Sequence, residues 1–71
     1  MEVIELRQTR RLEVGDTLVN AYGRTYEVTN VSSIGRGIRV QYVTAEGVKG
    51  RFTAAPDALS RVRVAPAFHA A

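Results

Sequence analysis

The chain has 71 residues and contains no cysteine, no tryptophan, two prolines and a single histidine. Without cysteine it has neither a disulfide framework nor a thiolate metal site. The histidine, His69, falls in the C-terminal tail, so no metal-ligating cluster and no nucleophile–base pair can be assembled from the letters. Asp16, Glu46 and Asp57 stand at turn positions, where turn chemistry accounts for them. A catalytic role and a cofactor are therefore not expected. Nothing approaches the roughly 20 apolar residues of a membrane helix, and Met1-Glu2-Val3 lacks the basic start of a secretory leader. A cytoplasmic location away from membranes is the default expectation.

Acidic residues are also scarce, seven against ten cations, which leaves a net charge of +3 and a pI near 10.0. That balance favours polyanionic partners. Nine of the ten cations are arginine, the side chain that pairs bidentately with phosphate or carboxylate. A chain this short buries only about 60% of its unfolded surface. Its stability should lie around 4–10 kcal/mol, so a packed barrel or a homo-oligomer must brace it.

Ile38 to Phe52, IRVQYVTAEGVKGRF, is the most informative stretch. Ile38, Val40 and Tyr42 alternate with Arg39, Gln41 and Val43, the period of a half-buried strand. Val48 and Phe52 continue the apolar set, with Lys49 and Arg51 opposite. Parity then selects the hairpin loop. A two-residue Glu46-Gly47 turn would set Gln41 against Phe52 and mix the faces. A three-residue loop, Ala45-Glu46-Gly47, sets Val40 against Phe52, Tyr42 against Gly50 and Thr44 against Val48. It pairs Arg39 with Thr53, Gln41 with Arg51 and Val43 with Lys49 on the outside, and it places Gly47 where a positive φ is required.

The remaining chain reads as short strands and turns. Residues 1–11 form an N-terminal strand, Val3 to Leu6, followed by a basic arm or loop carrying Arg7, Arg10 and Arg11. Gly15-Asp16 is a turn, Thr17 to Ala21 a strand, Tyr22-Gly23 a turn and Arg24 to Ser32 a longer strand. Val31 breaks the alternation of that strand, which predicts a bulge near Thr29-Asn30. Ser32 to Gly37 reads as a hairpin loop with Arg36 at its tip. Its glycines do not make a phosphate loop, because a strand and not a helix follows. Pro56-Asp57 opens a single helical turn, Arg61 to Val64 a last strand with the valines inward, and residues 65–71 are a tail.

The order of Gly15-Asp16 turn, two strands, glycine loop, hairpin, Pro56-Asp57-Ala58-Leu59 turn and closing strand resembles the SH3-like small β-barrels, the class that includes KOW and Tudor domains. The resemblance covers residues 12–64 and implies an all-β barrel of about five strands with a short helical turn before the last. KOW domains carry a glycine in the second strand, where this chain has Arg24-Thr25-Tyr26-Glu27-Val28. Tudor domains use an aromatic cage, for which Tyr22 is available while Tyr26, Tyr42 and Phe52 read as core. Because one fold serves many functions, the residues must decide. Arg39, Gln41, Lys49 and Arg51 on one hairpin face, extended by Arg36, point to nucleic acid, RNA or DNA, held through its phosphates. The alternative is a protein-interaction module that grips an acidic protein surface.

Overall fold

A computed structural model describes residues 3–64; the tail at 65–71, with His69, lies outside the described residues. The described residues are all-β, with six antiparallel strands: β1 (Val3–Gln8), β2 (Thr17–Val19), β3 (Thr25–Ile34), β4 (Gly37–Thr44), β5 (Lys49–Ala54) and β6 (Leu59–Val64). They form one open sheet in the order β1-β6-β2-β3-β4-β5. The expected five strands become six because Val3–Gln8 pairs along its whole length with β6, from Val3 opposite Val64 to Gln8 opposite Leu59. The expected closure is absent among the described residues: β1 and β5 are the two edges and do not pair with each other.

The sheet cannot be flat. Ala54 is level with Ser33 through Ile38, while Val62 is level with Tyr26 through Leu18. In a flat sheet those levels would lie about 20 Å apart along β3, with β5 and β6 about 19 Å apart across it. Yet only residues 55–58 connect the two strands. The Ala58 N–H donates to the Ala55 carbonyl at 3.1 Å, closing these residues into a turn. A β-turn holds its ends within about 7 Å, so Ala54 and Leu59 are at most about 15 Å apart. The sheet therefore doubles over, and β3 belongs to both halves. The bulge lies in that shared strand: Val28 is opposite Tyr42 but Asn30 is opposite Gln41, leaving Thr29 as the extra residue. A bulge bends its strand and increases the local twist.

Apolar side chains from both halves meet inside the fold. Leu18, Val28 and Val62 come from one half and Ile38 and Val40 from the other, with Leu12 entering from the β1–β2 connection. Tyr26, Val31 and Phe52 pack against this cluster. Val28 and Val40 are fully buried.

Three local expectations are corrected. Residues 32–34 belong to strand β3, so the glycine loop shrinks to Gly35-Arg36. Gly35 has a φ of 58° and Arg36 a negative one, the type II′ pattern that suits strand twist. The Pro56-Asp57 segment is a hydrogen-bonded turn and not a helical one, and β6 begins at Leu59, earlier than Arg61. Lastly, the basic Arg7–Arg11 run is not loose. Arg7 and Gln8 belong to β1, and Thr9–Arg11 forms a 3₁₀ turn. Thr9 is fully buried; its N–H and its hydroxyl both donate to the Ala58 carbonyl, at 2.9 and 3.0 Å, and the Arg10 N–H donates to the Pro56 carbonyl.

Candidate nucleic-acid interface

The β4–β5 hairpin carries the register that parity requires. Val40 faces Phe52, Tyr42 faces Gly50, Arg39 faces Thr53, Gln41 faces Arg51 and Val43 faces Lys49. The Thr44 N–H donates to the Val48 carbonyl at 2.8 Å and the Gly47 N–H to the Thr44 carbonyl at 2.9 Å, closing the three-residue loop. Gly47 has a φ of 84°, a conformation that a Cβ makes costly.

Strand β3 extends the outer face. Ser32 lies beside Arg39, Asn30 beside Gln41 and Glu27 beside Val43. Three rows result: Ser32–Arg39–Thr53, Asn30–Gln41–Arg51 and Glu27–Val43–Lys49. Successive rows are two residues apart, about 7 Å. Only the last row carries an acid. Lys49 and Arg51 are exposed, Arg39 and Gln41 half-buried, and Arg36 stands exposed at the β3–β4 turn. Among the described residues, none of these four cations forms an ion pair. A shallow depression on this surface is lined by Thr29, Gln41, Tyr42, Lys49, Gly50 and Arg51.

The remaining arginines proposed as an arm behave differently from one another. Arg7 is held in place: its guanidinium reaches Glu5 at 2.7 Å and Asp16 at 3.0 Å, and Asp16 also accepts the Glu13 N–H at 2.8 Å. The hydrogen bond to Glu5 and the charge of Asp16 raise the Arg7 pKa above its ordinary value. Arg10 and Arg11 are exposed on the 3₁₀ turn. Arg7 thus fastens β1 to the turn before β2.

An aromatic cleft was not foreseen from the sequence. Tyr26 and Tyr42 meet edge to face with ring centroids 4.9 Å apart, and Phe52 lies 6.2 Å from Tyr42. These rings, with Leu18, Asn20 and Arg61, line an apolar depression. Asn20 organises its rim: its Oδ1 accepts the Tyr22 and Arg24 N–H groups at 2.8 and 2.9 Å, and its Nδ2 donates to the Tyr26 hydroxyl at 2.9 Å. The available signal was that Tyr42 and Phe52 fall on the same face of the β4–β5 hairpin. Tyr22 is 89% exposed but does not line this cleft.

Among the described residues, no group of histidine, cysteine, aspartate and glutamate could hold a metal ion, and no helix is long and apolar enough to cross a membrane. Comparison with protein-family models, with curated proteins and with solved structures finds no match.

Proposed function

We propose that this chain is a small non-catalytic module that binds RNA or DNA through the phosphate backbone, using the outer face of β3–β5. One observation carries the proposal: Arg39, Lys49 and Arg51 share a face with Gln41, Asn30 and Ser32 and with one acid, Glu27, and among the described residues none of the three cations forms an ion pair. Arginine and amide donors on a rigid ladder suit phosphate oxygens. The three rows contain no aromatic residue, which favours backbone contact over base stacking. Arg36 extends the track beyond Arg39. We read the curled sheet as an SH3-like small barrel with β1 added at one edge, working in the cytoplasm; the bulged, shared β3 and the return of β6 beside β2 support that reading.

The test is a binding assay with duplex DNA, single-stranded DNA and RNA, comparing the native protein with Arg39→Glu/Arg51→Glu. The expected outcome is loss of binding to at least one of these in the variant. Equal binding by both proteins would eliminate this face. Failure of the native protein to bind any of the three would turn attention to acidic protein surfaces.

A further inference from the structure

The two edges of the sheet are not equivalent. β5 presents Lys49 and Arg51, and any antiparallel pairing of β5 with itself that brings these residues together sets cation against cation. Edge cations of this kind oppose strand addition. β1, VIELRQ, has one acid and one cation, and no described strand pairs with its outer side. Its outward-facing backbone groups can be assigned. The Thr9 N–H donates to the Ala58 carbonyl at 2.9 Å, continuing the β1–β6 register. Hydrogen-bonded and non-hydrogen-bonded pairs alternate along an antiparallel ladder. Arg7, Glu5 and Val3 therefore turn their backbone groups toward β6, while Ile4, Leu6 and Gln8 turn theirs outward.

We propose that β1 is a dimerisation edge that pairs antiparallel with β1 of a second copy, with Leu6 facing Leu6 on the two-fold axis. This is independent of the nucleic-acid reading. Charge selects the register. With Leu6 opposite Leu6, Glu5 of each copy faces Arg7 of the other as the close, non-hydrogen-bonded pair, and Ile4 faces Gln8. Shifting by one step in either sense sets Glu5 against Glu5 or Arg7 against Arg7, and like charges directly opposite are destabilising. The matched register also puts the outward backbone groups of Ile4, Leu6 and Gln8 in hydrogen-bonded pairs. Apolar surface supports the same geometry. On the face that carries Ile4 and Leu6, Arg63 and Arg61 stand directly across the β1–β6 ladder and Leu59 is the diagonal neighbour of Leu6. Leu6 and Leu59 are 62% and 61% exposed and Ile4 is 41% exposed. Pairing brings two such clusters together at the axis, a self-complementary patch of the kind a two-fold interface requires.

Light scattering coupled to size exclusion is expected to give twice the 7.8 kDa chain mass, falling toward 7.8 kDa on dilution. Leu6→Lys and Leu6→Glu are each expected to be monomeric, with unchanged circular dichroism. An equimolar mixture of the two should recover the dimer, because position 6 meets position 6. The cysteine-free background permits a second check of register. Hydrogen-bonded pairs have Cα atoms about 5.5 Å apart, within disulfide range. Leu6→Cys alone should therefore crosslink under mild oxidant, whereas Ile4→Cys and Gln8→Cys should crosslink only when mixed. A native protein monomeric at all concentrations would overturn the proposal. So would assemblies larger than two, a mixture of Leu6 variants that stays monomeric, or equal crosslinking at all three positions.

Discussion

Gly50 is the most demanding position in the hairpin, and its substitution has a calculable consequence. Gly15, Gly23, Gly35 and Gly47 have positive φ, whereas Gly50 does not; its smallness matters for space alone. A Cβ added there would lie 2.5 Å from both Cζ and Oη of Tyr42 and 2.8 Å from Cε1. The Tyr42 ring covers the glycine across the ladder, in the manner by which aromatic residues rescue strand glycines. Gly50→Ala must push that ring aside and loosen its contacts with Tyr26 and Phe52. Aromatic pairs are worth about 0.5–1.5 kcal/mol each, so losing two would cost roughly 1–3 kcal/mol. Replacing glycine by alanine within a strand returns about 0.5–1 kcal/mol. The net expectation is a destabilisation of up to about 2.5 kcal/mol, or a Tm lowered by up to roughly 20 °C for a domain of this size. Thermal and urea unfolding of Gly50→Ala, Tyr42→Val and the double variant measure it. With the ring removed, Gly50→Ala should become neutral or stabilising, which would show that the two positions are energetically coupled. Equal destabilisation in both backgrounds, or stabilisation of the native protein, would refute the reasoning.

Other positions give sharper rankings than magnitudes. Thr9→Val keeps the buried shape but removes the hydroxyl donor to Ala58; urea unfolding should show a loss of about 1 kcal/mol, with Thr9→Ser retaining more of the stability than Thr9→Ala. Asp16→Ala removes the partner of both Arg7 and the Glu13 N–H, at an expected cost of about 2 kcal/mol. Glu5→Ala, which loses only an exposed contact, should cost less than about 0.5 kcal/mol. The reverse order would deny Arg7 its fastening role. Gly47→Ala should cost about 1–2 kcal/mol through its positive φ, while Glu46→Ala in the same loop should fall within about 0.5 kcal/mol.

The hairpin was legible in the sequence because its alternation is strict: once Val40 and Phe52 must share a face, loop length follows from parity. The bulge at Thr29 was legible for a related reason, since Val31 could rejoin the core face only if one residue was extra. What escaped prediction is held by distant contacts. The polar Arg7–Arg11 run has no periodicity of its own and is ordered by Asp16, Ala58 and Pro56. Ser32 and Ser33 have loop-like letters, yet they pair with Arg39 and Ile38 because the adjacent ladder continues through them. The Pro56-Asp57 turn is shaped by the short connection between two strands in opposite halves of the sheet. Of the candidate face, the membership of Arg39, Gln41, Lys49 and Arg51 was readable, while the depression over Gly50 and the engagement of Arg7 required the fold.

The central claim is that the outer face of β3–β5 meets phosphate, and the dependence of binding on salt tests it most directly. If about four cations neutralise phosphates of a duplex, the logarithm of the association constant should fall against the logarithm of salt concentration with a slope near −3.6, or roughly 150-fold weaker binding between 50 and 200 mM. Arg39→Glu/Arg51→Glu should make the slope shallower by about 2 or more. Binding that barely responds to salt, or a slope left unchanged by the double substitution, would contradict the account.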